Sequence, residues 1–242
     1  MTALHMVSLP IELKTFRRWS AQRNLAADEG AALHHLLGET FGKSTFQPFR
    51  LMVAPRSASA TIYAYTQSDR SVLVQTAHEL ATPDALAVCD PDRIATKEMP
   101  ATWAKGRRLA FDVRVRPVRR LLRPAGGFSK GAEVDAYWLD AIRGQSEGDA
   151  SNPSGSSGRE AAYLTWLIKR IGEAANISSA HIVRLEQSVV LRNQRTQNGP
   201  DVTFHGELEI KEPELFAACL SKGVGRHVAY GYGMMLLRPS RR

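Results

Sequence analysis

The sequence lacks the features that mark disulfide-rich, zinc-binding and membrane-spanning proteins. It has only two cysteines, Cys89 and Cys219, with no CxxC pair and no histidine at ligand spacing, so neither a disulfide framework nor a structural zinc site is indicated. No apolar run approaches the roughly 20 residues that cross a bilayer, and Pro10 and Glu12 interrupt the N-terminal apolar stretch. We expect a soluble, cytoplasmic protein without a metal, a small-molecule cofactor or a membrane partner.

Acidic residues are outnumbered. Against 24 Asp plus Glu stand 32 Lys plus Arg, which gives a formal net charge of +8. This excess favours a polyanionic partner, although an ordinary solvated basic surface explains it equally well. The length of 242 residues suffices for one large domain or two compact ones, each with a workable core.

Hydrophobic spacing predicts the order β-α-β-β-α-β in the first hundred residues. The predicted strands cover 4–9, 49–54, 61–66 and 86–90. Helices are predicted from Pro10, from Asp28 to a stop at Gly42 with Leu33, Leu37 and Phe41 on one stripe, and over 68–81 with Val72, Val74, Ala77 and Leu80 on another. This order is the split βαβ of a ferredoxin-like unit.

The second half repeats the order. Leu109, Phe111, Val113 and Val115 alternate with polar residues and predict a strand, and a helix follows over 159–175. Strands at 181–192 and 201–210 flank a basic hairpin tip, and a helix from Pro213 and a last strand at 232–239 follow. We predict an α+β protein of tandem ferredoxin-like domains, 1–100 and 101–242, with a mobile insertion over 144–158 because that stretch has almost no apolar content.

The adjacent histidines His34 and His35 on the second helix are the first candidates for chemistry. Imidazole is the side chain best suited to exchange protons near neutral pH. Neighbouring helical residues point about 100° apart, so the two side chains do not share one task. The competing interpretation is a partly exposed histidine with no catalytic role.

The segment GVGRHVAYGYG is the second candidate. It contains Gly223, Gly225, Arg226, His227, Gly231 and Gly233. It follows a helix and precedes a strand, so it is neither a dinucleotide fingerprint nor a P-loop. Its backbone N–H groups would come close to RNA phosphates, with arginine and aromatic side chains alongside. A tight turn that requires positive φ is the alternative, and it explains one or two of the glycines more readily than four.

A set of arginines is the third candidate, as phosphate ligands. Its members are Arg107, Arg108, Arg114, Arg116, Arg119, Arg120, Arg192 and Arg195. Arg114 and Arg116 share one strand face, and if that face is open it presents two guanidinium groups for bidentate phosphate contact. Arg192 and Arg195 lie at the predicted hairpin tip, where they would enter an RNA groove. Solvated strand edges explain both pairs without any ligand.

Taken in order, five segments resemble a known family. They are LHHLLGETF (33–41), FDVRVRP (111–117), AYLTWL (162–167), FHGELEIKEPELF (204–216) and GVGRHVAYGYGMMLLRP (223–239). Together they are similar to CasE, the family of CRISPR repeat-processing endoribonucleases of the type I-E Cascade complex, within the RAMP superfamily. The resemblance implies a protein that binds the repeat stem-loop, cuts precursor RNA at the base of the stem, and stays on the mature guide RNA beside other Cascade subunits.

The resemblance places the catalytic histidine at His34, since the Leu-His-x-x-Leu-x-x-x-Phe spacing runs from Leu33 to Phe41. In some members a tyrosine precedes this histidine by three residues, where this chain has Ala31. The RNA supplies its own nucleophile, the 2′-hydroxyl, so the expected mechanism needs no metal, and His34 acts as either the acid or the base. A non-catalytic RAMP-fold RNA-binding subunit and a ribosomal RNA binder are the competing functions.

Overall fold

A computed structural model describes residues 3–146, 156–192 and 195–240. In the first half the elements follow in this order: β1 His5–Glu12, α1 Leu13–Gln22, α2 Glu29–Phe41, β2 Phe49–Val53, β3 Ser59–Thr66, α3 Arg70–Leu80, α4 Pro83–Leu86 and β4 Ala95–Glu98. The strands form an antiparallel sheet in the order β2-β3-β1-β4. This is the ferredoxin-like arrangement that the hydrophobic spacing predicts.

The second half contains the same arrangement with an addition. Its elements are β5 Arg108–Val115, β6 Val118–Arg120, β7 Glu133–Asp135, α5 Ala136–Ser146, α6 Ser156–Ile171, β8 Ala175–Arg192, β9 Arg195–Ile210, α7 Pro213–Lys222 and β10 Met235–Pro239. The four-stranded sheet has the order β10-β5-β9-β8. The tandem ferredoxin-like fold is therefore confirmed, whereas the division into domains at residue 100 stays a prediction.

The first helix starts later than the sequence predicts. Pro10 belongs to β1, and α1 begins at Leu13 after Glu12, whose carboxylate accepts hydrogen bonds from Lys14 N and Thr15 N. A proline is tolerated in this central strand because β4 pairs only with residues 5–8 of β1, so Pro10 lies beyond the end of that neighbour. Its missing N–H therefore costs the sheet no hydrogen bond.

The prediction of a strand at 86–90 is wrong. Pro83 starts the short helix α4 there, and Val88 and Cys89 are buried after it. The fourth strand is Ala95–Glu98, later in the chain than predicted. The predicted stripe of α3 is also displaced. Leu73 and Ala77 face the core, whereas Val72 and Leu80 are 48% and 57% exposed.

The long hairpin β8–β9 confirms one prediction and extends it. Its register runs from Ala175 opposite Ile210 to Arg192 opposite Arg195, so the pairing includes most of the segment predicted as a loop. The predicted mobile insertion lies mainly outside the described residues, at 147–155, and its two ends, 144–146 and 156–158, belong to α5 and α6. The strands β6 and β7 and the helix α5 are additions that the sequence analysis missed.

Two contacts join the sheets. Arg50 of β2 forms a buried ion pair with Asp112 of β5, and the Tyr65 hydroxyl of β3 donates to the backbone oxygen of Met235 at 2.9 Å. One contact thus joins β2 to β5, and the other joins β3 to β10. No helix among the described residues is long and apolar enough to cross a membrane.

Candidate functional site

Helix α2 positions the candidate histidine. The Asp28 carboxylate caps its first turn by accepting from Ala31 N at 2.9 Å, and Gly42 ends it with φ of 85°. Leu33 and Leu37 are buried in the hydrophobic core of the first ferredoxin-like unit, as the predicted stripe requires. His34 is half-buried and His35 is exposed, so the two rings face different surroundings. Only His34 faces the rest of the protein.

The glycine-rich loop packs directly on α2. The ring of Tyr230 lies 5.2 Å from the ring of His34 between centroids, at an interplanar angle of 39°. The close approach depends on Gly30, since a Cβ there would lie 2.6 Å from the backbone oxygen of Tyr230. Two features that the sequence analysis treated separately therefore form one site.

The surroundings of His34 favour its neutral form. Burial lowers the pKa of His34 below its ordinary value of 6.5, and the charge of the adjacent His35 lowers it further. A neutral imidazole has one nitrogen free to accept a proton. At neutral pH His34 is thus equipped to act as a proton acceptor.

Glu133 of β7 fastens the loop that carries Tyr230. Its two carboxylate oxygens bind Arg226 Nε and His227 Nε2, each at 2.6 Å. The hydrogen bond from His227, followed by the Arg226 contact, lowers the pKa of Glu133 to about 2 despite partial burial. His227 adopts the left-handed conformation with φ of 65°, its side chain is fully buried, and Tyr230 N donates to its backbone oxygen at 2.8 Å. Glu133 therefore fixes the turn that ends at Tyr230.

The glycines of the loop serve the backbone. All four predicted positions, Gly223, Gly225, Gly231 and Gly233, have φ between 77° and 85°, so the turn interpretation explains all of them rather than one or two. At Gly225 a Cβ would also lie 2.6 Å from the ring of Trp166. The N–H groups of Gly223 and Gly233 donate to the backbone oxygens of Cys219 and Arg114, so these two amides do not face a phosphate.

The condition for phosphate contact by Arg114 and Arg116, an open strand face, is not met. Arg114 forms a bidentate ion pair with the buried Asp201, at 2.9 and 2.5 Å, and lies over the ring of Tyr232 at 4.7 Å. Burial disfavours the Arg114 charge, but Asp201 outweighs it and the pKa of Arg114 is raised. Arg116 is 2% exposed and donates to Ser188 Oγ at 2.7 Å and to the backbone oxygen of Gln197 at 2.8 Å. Both arginines are therefore bound within the protein, by partners on β8 and β9.

Arg226 and His227, which were predicted to bind RNA, are also bound within the protein, since both contact the Glu133 carboxylate. His227 is buried, and its free Nδ1 has no hydrogen-bond partner within the described residues. Arg226 is the more accessible, with 35% of its side chain exposed. The loop thus contributes Tyr230 to the site more directly than it contributes Arg226 or His227.

The remaining arginines are spread over the molecule. Arg107 and Arg108 are exposed at the start of β5, and Arg108 pairs with Glu209 at 3.2 Å. The strand continues for seven residues beyond Arg108, about 23 Å, before it reaches the glycine-rich loop.

Arg119 forms a bidentate pair with Asp140, whereas Arg120 is exposed. The side chains of Arg192 and Arg195 lie outside the described part of the chain.

A small cavity adjoins the site. It measures about 130 Å³ and lies between the start of α2, the strand β8 and the glycine-rich loop. Its lining includes Gly30, Arg114, Ser188, Tyr230 and Tyr232. Within the residues that the structure describes, no group of three or more His, Cys, Asp or Glu side chains is arranged to hold a metal ion.

Sequence reasoning missed Tyr230 and Glu133 as parts of the site. Tyr230 lies in the segment that the analysis singled out, and its aromatic character was the available signal. Glu133 lies 94 residues before His227 in a segment with no recognisable pattern, so no signal in the sequence could have found it.

Comparison with known proteins gives a consistent result. A family model described as "CRISPR associated protein" matches residues 4–239. The CRISPR endoribonuclease Cse3 bound to a 19-nucleotide RNA matches with a TM-score of 0.66 and 19% identity, over 98% of this chain and 100% of that chain. The CRISPR-associated protein Cas6e from Escherichia coli K-12 gives 0.60 and 17%, with coverages of 98% and 100%.

A chain of a CRISPR RNA-guided surveillance complex also matches, with a TM-score of 0.56 and 17% identity, over 98% of this chain and 100% of that chain. At these identities the likeness to solved structures establishes the fold. A search of curated proteins finds no match to the chain.

Proposed function

The chain belongs to the family of CRISPR-associated proteins, and from this premise we propose that it is an endoribonuclease that processes CRISPR RNA. It binds the stem-loop of the repeat in the precursor RNA and cuts at the base of the stem. It then remains on the mature guide RNA as a subunit of a Cascade complex in the cytoplasm. The proposal is supported by the printed descriptions of the similar structures, an endoribonuclease with bound RNA and a surveillance complex.

The observation that carries the proposal is the placement of His34. It is half-buried on α2, packs against Tyr230 from the far end of the chain, and has a lowered pKa. A proton-transfer group needs a fixed orientation and the correct protonation state, and these contacts supply both.

The reaction is a transfer within the RNA. The 2′-hydroxyl oxygen forms a bond to the adjacent phosphorus while the bond to the departing 5′-oxygen breaks, which leaves a 2′,3′-cyclic phosphate and a 5′-hydroxyl. One proton leaves the 2′-oxygen and one joins the 5′-oxygen. Neutral His34 accepts the first, or protonated His34 supplies the second. The nucleophile is part of the substrate, so the mechanism requires no metal ion.

The test is a cleavage assay with a synthetic CRISPR repeat RNA in excess EDTA. We expect one discrete cut at the base of the stem and a product that ends in a 2′,3′-cyclic phosphate, identified by mass spectrometry. Tight binding without any cut, with or without added Mg²⁺, would instead assign the protein as a non-catalytic RNA-binding subunit. A cut that appears only with Mg²⁺ would contradict the proposed mechanism.

A further inference from the structure

The segment 118–135, which we name the insert hairpin, has no counterpart in the first ferredoxin-like unit. It comprises β6, β7 and the turns between them, and it interrupts the path from β5 to the helices of the second half. Backbone hydrogen bonds continue the pairing past the strands, from Leu121 N to Ala132 O and from Gly131 N to Leu121 O. The segment is a formed element rather than an irregular loop.

The charge of the insert hairpin has one sign over most of its length. Residues 118–132 contain four cationic side chains and no acidic one. Arg119 is neutralised by Asp140. Arg120, Arg123 and Lys130 are exposed, and none of the three forms an ion pair with a residue that the structure describes. Three unpaired cations on one short hairpin indicate a polyanionic ligand.

Apolar side chains are exposed beside these cations. Phe128 is 42% exposed and Leu122 is 83% exposed. Phe128 lies at the tip, where Ala125 and Phe128 exchange backbone hydrogen bonds of 3.1 and 2.9 Å across Gly126 and Gly127, both with positive φ. An aromatic ring held by a tight turn next to cations is the arrangement that stacks on an unpaired base while the cations bind its phosphates.

The insert hairpin is fixed at both ends. At its tip Gly126 packs on Ile142 of α5, since a Cβ there would lie 2.5 Å from the Ile142 Cδ1 atom. At its base Glu133 binds Arg226 and His227 of the loop that holds Tyr230 against His34. Between the tip and Glu133 the chain makes a further turn, in which Ala132 N donates to the backbone oxygen of Ser129 at 3.1 Å. The insert hairpin is therefore joined through Glu133 to the loop that packs on His34.

We propose that the insert hairpin is a second RNA-binding element, which holds single-stranded nucleotides that flank the repeat stem-loop. The inference rests on the proposed function and adds the RNA segment that this surface recognises. Single-stranded RNA fits because every unpaired base offers an exposed face on which the ring of Phe128 stacks. A protein partner fits less well, because unpaired lysine and arginine charges of one sign are costly to bury in a protein interface.

The experiment compares two charge-matched variants of the full chain. One combines Arg120→Ala, Arg123→Ala and Lys130→Ala in the insert hairpin. The control combines Lys14→Ala, Arg17→Ala and Arg18→Ala, which removes three exposed cations from α1 on the first sheet. Binding of two synthetic RNAs is measured over a series of salt concentrations: the repeat stem-loop with its single-stranded flanks, and the bare stem-loop. Circular dichroism verifies that each variant is folded.

We expect the hairpin variant to reduce the salt slope for the flanked RNA by about 2, since each phosphate contact to a single strand contributes about 0.7. We expect little change for the bare stem-loop, and little change for the α1 control with either RNA. Phe128→Ala is expected to weaken binding of the flanked RNA about tenfold, at an unchanged salt slope.

Equal effects of the two charge variants would overturn the proposal, since they would reflect net charge alone. An undiminished affinity of the hairpin variant for the flanked RNA would overturn it as well and would favour a protein partner for this surface. If the wild-type protein binds neither RNA, the proposed function fails and this inference fails with it. Wild-type binding with unaltered variants contradicts only the role of the insert hairpin.

Discussion

At the scale of single residues, the contacts of His34 determine its protonation. Its pKa is lowered first by burial and second by the charge of His35. The imidazole therefore stays neutral to a lower pH than a free histidine, and proton acceptance by His34 is lost only as the pH falls through this lowered pKa. If cleavage depends on neutral His34, the cleavage rate should fall over the same pH range in which His34 becomes protonated.

The contribution of the neighbouring charge is directly measurable. We predict that His35→Gln raises the pKa of His34 toward 6.5 without restoring it fully, because burial remains the larger cause. The measurement is an NMR titration of the His34 ring protons. The control is His78→Gln, which alters an exposed histidine on α3 and should leave the titration of His34 unchanged. A His34 that titrates at or above 6.5 in the wild-type protein would contradict this description.

Arg116 contributes to stability rather than to RNA binding. Its guanidinium binds Ser188 and the backbone of Gln197 across the hairpin, and replacement by alanine leaves a cavity and buried acceptors without donors. We predict that Arg116→Ala lowers the free energy of unfolding by about 2–4 kcal/mol. Arg108→Ala, at a 73% exposed side chain, should change it by less than about 0.5 kcal/mol. A salt slope of RNA binding reduced by about 1 in Arg116→Ala, at unchanged stability, would refute the assignment.

The arginines also show where sequence reasoning ends. The alternation of β5 correctly placed Arg114 and Arg116 on the face opposite the core residues Val113 and Val115. Whether these arginines are free depends on Asp201 of β9 and Ser188 of β8, which are distant in sequence and come close to them only when the sheet has formed. Period-two spacing carries no information about such partners.

At the scale of elements, the decisive arrangement is the loop between α7 and β10 lying against α2. Glu133 of β7 holds this loop through Arg226 and His227, and the loop in turn places Tyr230 on His34. The geometry around His34 thus depends on three elements from different parts of the chain.

We predict that Glu133→Gln slows cleavage while the affinity for repeat RNA stays close to that of wild type, because the substitution weakens two charge-assisted hydrogen bonds that fix Tyr230. The measurement is the single-turnover rate beside the dissociation constant. Glu209→Gln, which removes an exposed partner of Arg108, is the matched control. A Glu133→Gln protein that cleaves at the wild-type rate would show that the loop needs no such anchor.

The same residue has a pH signature. Since the pKa of Glu133 is lowered from 4.5 to about 2, its ionised form stabilises the fold above pH 4.5 and that contribution is lost as the pH falls from 4.5 to about 2. We expect the free energy of unfolding of wild type and Glu133→Gln to differ at neutral pH and to converge toward pH 2. A difference that is constant with pH would contradict the ion-pair role.

Most elements were predictable because their signals are local. Asp28 and Gly42 bound α2 correctly, and the alternation of Leu109 to Val115 identified β5. The fourth strand was misplaced because the apolar residues Val88 and Cys89 are buried by a short helix and not by a strand. The insert hairpin was missed because its turns rather than a hydrophobic pattern define it.

At the scale of the whole molecule, the two ferredoxin-like units are joined by a buried ion pair. Arg50 on the first sheet binds Asp112 on the second, and His205 Nε2 also contacts Asp112 at 3.0 Å. Removing one member of a buried pair leaves the other charge without a partner.

We predict that Arg50→Ala and Asp112→Ala each lower the free energy of unfolding by about 3–5 kcal/mol. The free energy of unfolding of the double variant should fall by less than the sum of the two single-variant losses, because each single variant includes the cost of an orphaned charge. Chemical denaturation of all four proteins measures this. Strictly additive losses would mean that the ion pair does not couple the two sheets.

The most direct test of the whole account is the single-turnover cleavage of repeat RNA by wild type and by His34→Ala in EDTA, with the dissociation constant of each protein measured in parallel. The account predicts that His34→Ala lowers the cleavage rate by about 10²- to 10⁴-fold while its affinity for the RNA stays close to that of wild type. Cleavage by His34→Ala at the wild-type rate would contradict it.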